Sequence, residues 1–272
     1  MSASVHAPKS PFDLYRAAKR FGTWDPEQID LAKDKRDFES LSSGKREQLT
    51  KVCALFYEGE VSVADTLAWF MLGFEDAERR AFLSTQIFEE VKHAEFFQRY
   101  FREVLGDVDT RQYLVPEYRG VLLDELRQRG EAIGAAVMNH DRAGLERAMV
   151  LGVAHYMGIV EGLLAVTGYD YFEEMLGREN ICPGLHEGIR QIRIDEGRHL
   201  THGMDYLREK ITAKPEYGPM VQELFWSEGA KIPARTDFAF HPNDFGLDQQ
   251  HMLEISYQNL AQRAREAGLK VQ

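Results

Sequence analysis

The sequence predicts an all-α protein built as a bundle of long helices, and three observations carry that reading. The nine prolines stand at positions 8, 11, 26, 116, 183, 215, 219, 233 and 242, which leaves 27–115, 117–182 and 184–214 without one. Long helices need such spans, because an interior proline removes a hydrogen bond and clashes with the preceding turn. Strand signals are meagre: no run of alternating Val, Ile or Thr is bounded by Asn-Gly or Asp-Gly. Within the proline-free spans, apolar side chains recur in steps of three and four, the period of a helix with one buried face. The 272 residues are 44% hydrophobic, ample for a core, and read as one domain over 1–272. Composition excludes disorder, collagen and a disulfide-stapled scaffold. Acidic side chains outnumber basic ones 44 to 33, a net charge of −11. That balance argues against a nucleic-acid binder, which must offset phosphate charge.

Taken in order, residues 1–40 form an N-terminal extension left mostly unassigned. A first helix carries Leu49, Val52, Cys53, Phe56, Val63, Leu67 and Phe70, with Ser42 or Ser43 as its N-cap. A second runs from about Asp76 to Leu105, with Leu83, Ile87, Ala94, Phe97, Phe101 and Val104 on one stripe and Gly106 as its stop. A third, ordinary amphipathic helix spans about Tyr118 to Asn139. The fourth enters near Asp141 and leaves near Gly168. The fifth begins after Pro183 and runs through Leu185, Ile189, Ile192, Leu200, Gly203 and Leu207. Residues 213–272 read as an irregular stretch containing Pro215, Pro219, Pro233 and Pro242, then a helix from about Leu247 to Ala267. No repeat and no low-complexity tract interrupts this order.

The fourth helix is long enough to cross a bilayer. Ala148 to Val166 is 19 residues with Glu161 as the sole formally charged member, and Gly158 and Gly162 have close-packing spacing. A helix buried on all sides within a bundle is equally apolar. His155, Tyr156 and Glu161 sit mid-segment and no second such stretch exists, so the buried-helix reading is preferred and no transmembrane segment is expected. Cys53 and Cys182 have no CxxC partner and no export signal precedes them, which suggests free thiols in a reducing cytoplasm.

The informative residues are those that break the stripes. Glu60 fills the gap between Phe56 and Val63, and Glu161 interrupts the most apolar helix. Glu90 and His93 sit between Ile87 and Phe97; Glu196 and His199 sit between Ile192 and Gly203. Burying a lone carboxylate is costly unless it is paired or ligates a metal. Glu90-Val-Lys-His93 and Glu196-Gly-Arg-His199 are both Glu-x-x-His, and residues three apart on a helix share a face. Each motif follows a lone Glu, 30 residues upstream in one half and 35 in the other. This doubled Glu…Glu-x-x-His pattern is that of di-iron and di-manganese carboxylate bundles. Four carboxylates balance two divalent cations, and imidazole with carboxylate suits iron or manganese better than a thiolate set would.

Ligating histidines usually donate their outer N–H to a carboxylate. Asp195 is the first candidate for that role and Glu89 the second. His202 is read as a surface or outer residue rather than a seventh ligand. His6, His140, His155, His186, His241 and His251 are assigned no function, and the stripe Phe96, Phe97, Tyr100 and Phe101 is read as core.

The six positions Glu60, Glu90, His93, Glu161, Glu196 and His199 resemble the metal ligands of the ribonucleotide reductase small-subunit superfamily, over about residues 10–212. The resemblance implies a ferritin-like bundle whose four-helix core carries a dinuclear site. Reductase small subunits commonly place a radical tyrosine four residues beyond the first motif histidine; here position 97 is Phe. The chain is more similar to the ligand-binding oxidase branch, marked by a valine three after the first ligand and a tyrosine five before the fourth. Glu60-Val-Ser-Val63 and Tyr156-Met-Gly-Ile-Val-Glu161 supply both, and Tyr15 to Pro26, including Trp24, is also similar to that branch. The resemblance implies a manganese and iron pair (two irons being possible), O2 activation and an ether bond between Val63 and Tyr156. It further implies a long-chain fatty acid or lipid-like ligand, a two-electron oxidation of a hydrophobic substrate, and a homodimer. Alternatives are a tyrosine-less reductase subunit, an oxygenase or desaturase with another substrate, and a ferritin-like metal store. In a regular helix Tyr156 would point about 140° away from Glu161, so the bond requires a π-type irregularity between them, which Gly158 would ease.

Overall fold

The computed structural model describes residues 10–270; His6 and the last two residues of the tail lie outside them. Among the described residues there is no strand, and the fold is an all-α, ferritin-like bundle. Four long helical elements form its centre. Helix α3 (Ser43–Gly73) starts where the Ser42 hydroxyl accepts the Lys45 backbone N–H at 3.2 Å. Helix α4 (Ala77–Tyr100) starts at an Asp76 cap, passes into a π turn (Phe101–Leu105) and stops at Gly106, whose φ of 93° only glycine adopts readily. The third element is continuous from Arg142 to Glu179: α7 (Arg142–Val153), a π segment (Ala154–Ala165) and α8 (Val166–Glu179). It is long and apolar enough to span a membrane, but 78% of its most apolar stretch is buried inside the bundle. The fourth is α9 (Pro183–Ala213).

Residues 10–40 are more helical than their sequence suggests. Helices α1 (Pro11–Phe21) and α2 (Ala32–Ser40) flank a 3-10 turn (Pro26–Gln28), with Pro11 and Pro26 at the starts of their elements. There proline costs nothing, since the N–H it lacks would have no helical partner. Helix α1 packs on α4 and α9, and Asp34 of α2 caps α9 from outside by accepting the N–H groups of Gly184 and Leu185 at 2.8 and 2.7 Å.

Two further expectations are corrected. The stretch after Pro215, expected to be irregular, contains α10 (Tyr217–Gly229) and α11 (Ile232–Phe240) before α12 (Gln249–Glu266). Pro219 and Pro233 stand in first turns, so they start helices rather than break them. The ordinary third helix is compound: α5 (Pro116–Arg119), a π turn (Gly120–Asp124) and α6 (Glu125–Met138). Cys53 and Cys182 are free and buried, and the Phe96–Phe101 stripe is core as expected.

Candidate metal centre

Glu60 projects from the middle of α3, Glu90 and His93 from α4, Glu161 from the π segment, and Glu196 and His199 from α9. All six are buried, and they converge on one point of the bundle as two overlapping groups. Glu60, Glu90, His93 and Glu196 offer donor atoms within 4.8 Å of one another, and so do Glu90, Glu161, Glu196 and His199. Glu90 and Glu196 belong to both groups. His93 turns Nδ1 inward, 3.5 Å from Glu60 and Glu196 and 3.6 Å from Glu90. His199 does the same, 3.0 Å from Glu90 and 3.6 Å from Glu161 and Glu196.

The polar atoms of this centre lack enough partners. Both inward Nδ1 atoms, Glu161 Oε2 and Glu196 Oε2 are buried with no hydrogen bond. Buried polar groups are almost always satisfied, so four unpartnered atoms around one point suit a cation as their common partner. Proton affinities agree. Burial, with neighbouring carboxylates adding to it, pushes Glu60 and Glu196 up to about 8 and Glu161 up to about 7. Burial acts on Glu90 in the same direction, but the His199 and His93 imidazoles outweigh it and hold that carboxyl well below its ordinary range. Carboxylates and imidazoles with no thiolate, arranged as two four-donor sets that share Glu90 and Glu196, fit a pair of iron or manganese ions.

Around this centre the motifs cross over. His93 Nε2 meets Asp195 at 3.2 Å, and His199 Nε2 meets Glu89 at 2.8 Å, so the acid preceding each motif holds the histidine of the other. Such a contact fixes which nitrogen faces the metal. The residue before each histidine balances these acids: Lys92 Nζ donates to Asp195 at 2.8 Å, and Arg198 donates to both Glu89 and Asp195. Trp24 Nε1 also donates to Asp195 at 2.8 Å, and its ring stacks on His93. Burial pushes Asp195 upward, but His93 and Lys92 hold it well below the usual carboxylate range. Each motif therefore reads acid-Glu-x-base-His, and that repeat was the available signal for Lys92 and Arg198, which the spacing argument passed over.

The π geometry expected between Tyr156 and Glu161 is present and longer than one bulge, covering Ala154–Ala165. Its i→i+5 bonding stacks residues five apart on one face. Tyr156 is thereby turned toward the carboxylates: its hydroxyl donates to Glu90 Oε1 at 2.8 Å and accepts from Gln86 Nε2 at 2.7 Å. Gln86 also donates to Glu161 at 3.2 Å. Sequence reasoning missed Gln86, although it lies one turn before Glu90 on the same stripe. Gly158 has a packing role as well, since a Cβ there would meet the Phe225 ring at 2.6 Å. Val63 lines an apolar cavity that also borders Glu60, Glu90, Glu161 and Glu196. Phe97, at the usual radical position, packs on Phe56. His202 is buried and makes no hydrogen bond, so it is not a surface residue, and it belongs to neither donor group. His155, also buried, ties its Nε2 to the Val121 carbonyl at 2.9 Å.

The family described as ribonucleotide reductase, small chain, matches this sequence over residues 13–225. The chain belongs to that family. Solved structures with the same fold include three variants of an R2-like ligand-binding oxidase. A tyrosine-to-phenylalanine variant with aerobically reconstituted Mn/Fe cofactor is 24% identical at a TM-score of 0.88, over 97% of this chain and 95% of its own. A valine-to-alanine variant with anaerobically reconstituted cofactor is 24% identical at 0.87, with the same coverage. A valine-to-isoleucine variant is 23% identical at 0.89, over 97% and 96%.

Proposed function

We propose that this reductase-family chain is a dinuclear manganese–iron oxidase of the ligand-binding type. Glu60, Glu90, His93 and Glu196 would hold one metal, and Glu90, Glu161, Glu196 and His199 the other, with Glu90 and Glu196 between them. Bound in reduced form, such a pair supplies the electrons and open coordination positions that O2 activation needs. The carrying observation is Tyr156: the π segment brings its hydroxyl into hydrogen bond with Glu90, while Val63 faces the same centre from α3. Asp195 and Glu89 fix the histidine rings. Residue spacings in the solved oxidases support the reading. Their replaced positions include a valine with a glycine four residues before it, and two tyrosines thirteen apart. This chain has Gly59 and Val63, and Tyr156 and Tyr169, at those separations.

The chemistry proposed at these two residues is an ether bond. Val63 loses a hydrogen from Cβ, Tyr156 loses its hydroxyl proton, and a C–O bond forms. Two electrons and two protons leave, with O2 as acceptor. The cavity beside Val63, bounded by aliphatic and aromatic side chains, suits the chain of a fatty acid or similar lipid-like ligand. A homodimer and a cytoplasmic setting complete the reading.

The test is peptide mass mapping after aerobic reconstitution with manganese and iron. Peptides carrying Val63 and Tyr156 should appear joined and lighter by two hydrogens, and Tyr156→Phe should keep both metals without the linkage. Separate, unmodified peptides in fully loaded, oxidised protein would favour the second reading, a tyrosine-less reductase subunit, which the Phe at position 97 also allows.

A further inference from the structure

The cavity beside the metal centre is not apolar throughout. Where α11 borders it stand Arg235 and Thr236, and Arg235 is 2% exposed. Two of the three guanidinium nitrogens are spent on the fold. Nε donates to the Glu117 carbonyl at 3.0 Å, and Nη2 donates to Glu228 Oε2 at 2.5 Å, tying α11 to α5 and α10. Nη1 is buried and has no partner. Arginines 79, 198 and 263 also keep one unpartnered nitrogen, but Arg235 is the one whose side chain lines this cavity. A fork needed solely as a clamp between helices would be complete with its two existing contacts. A third donor held beside an apolar space remains unsatisfied until something with an oxygen enters.

We infer that the ligand of this cavity is an aliphatic acid bearing an oxygen at a point remote from its carboxylate, an ω-hydroxy acid being the simplest case, with that oxygen accepting from Arg235 Nη1. This deepens the proposed function and rests on it, since it takes the carboxylate to sit at the metals. None of Arg235's hydrogen-bond partners belongs to the metal centre, and the cavity that both border is lined mainly by aliphatic and aromatic side chains. A neutral oxygen is sufficient. Glu228 already offsets the guanidinium and is shared with Lys231, so Nη1 offers a strong hydrogen-bond donor without an uncompensated charge. An unmodified fatty acid would leave that donor buried and unpaired, which is how a polar site rejects the analogue lacking its group.

The experiment uses the full chain, stripped of lipid and loaded with manganese and iron. Calorimetric titration compares saturated acids of increasing chain length with their ω-hydroxy and α,ω-dicarboxylic counterparts. At the length that bridges the metals and Arg235, the hydroxy acid should bind about tenfold tighter than the plain acid, the size expected for one hydrogen bond from a charged donor. A dicarboxylic acid that binds tighter still would identify the acceptor as a carboxylate. Arg235→Gln should reduce the preference to about one. Because that change strands Glu228, the Arg235→Gln, Glu228→Gln pair is measured beside it, with helix content checked by circular dichroism. Plain acids that bind as tightly as oxygenated ones at every length overturn the inference and leave the proposed oxidase intact. So does a preference that survives both variants. If no acid binds, the fatty-acid reading fails and takes this inference with it.

Discussion

Glu60, Glu90 and His93 stand on α3 and α4, both regular α-helix through the site, whereas the opposing half places Glu161 on a π segment. The surroundings differ in the same sense. Behind His93, Asp195 receives Trp24, Lys92 and Arg198 as well as the imidazole; behind His199, Glu89 receives Arg198 and the imidazole. One half is thus held by many buried contacts on standard geometry. The other gives up regular helix geometry to bring Tyr156 onto the carboxylates. The same set of two glutamates and one histidine therefore sits in two settings, a heavily braced one on one side and one that holds a phenol against the carboxylates on the other.

The bluntest way to break this picture is to remove what both halves share. Glu90 and Glu196 appear in both donor groups, so the Glu90→Ala, Glu196→Ala double variant should lose essentially all bound metal. Full loading of that variant by elemental analysis would refute the ligand assignment. The outer acids sharpen the comparison. Asp195→Asn should weaken metal binding by roughly 10- to 100-fold, mostly at the His93 side, and Glu89→Gln by less, mostly at the His199 side. Anomalous scattering at the manganese and iron edges separates the sides. Equal losses at both positions would remove the asymmetry argued above.

Acidity supplies the next test. In the metal-free chain Glu60 and Glu196 sit near 8 and Glu161 near 7, above the 4.5 of an ordinary glutamate. A carboxyl raised in the folded state stabilises fully below its unfolded pKa, and the benefit is lost as pH rises through the folded value. The raised His93 and His199 act in the same direction above their ordinary 6.5, whereas the lowered Glu90 changes stability only below 4.5 and is level across this range. Thermal stability of the apoprotein should therefore fall as pH rises from about 4.5 to 8, and metal should remove most of that fall. An apoprotein that gains stability over the window would contradict the burial argument.

How far the sequence alone reaches follows the same division. Helices α3, α4 and α9 were legible because their apolar stripes keep one period, and the six candidate ligands because they interrupt those stripes. The π segment was legible only through a conflict, a tyrosine and a glutamate five apart that regular helix geometry would separate. Helices α1, α2, α10 and α11 were missed for another reason. They are short, and prolines at 11, 219 and 233 look like breakers unless the helix start is already known. Trp24 reaches the centre through a tertiary contact that no local period encodes, whereas Gln86 stands on the Glu90 stripe and looks there like any other polar side chain.

The smallest expected effect concerns what the π segment needs. If Gly158 were there to ease the backbone, alanine would restore regular helix and carry Tyr156 away from Glu90. The surroundings argue otherwise: a Cβ at 158 would meet the Phe225 ring at 2.6 and 2.8 Å, while α10, which carries that ring, lies directly on the π segment. Gly158→Ala should therefore cost about 1–3 kcal/mol by overpacking. Phe225→Leu, which removes the ring, should recover part of that loss when combined with it. Urea denaturation of the two single variants and the pair measures the coupling. The double variant should still join Val63 to Tyr156 after reconstitution, because the register of Tyr156 is set by the whole Ala154–Ala165 segment. Recovered stability without the linkage would return the glycine to a backbone role and make the π geometry depend on that one residue.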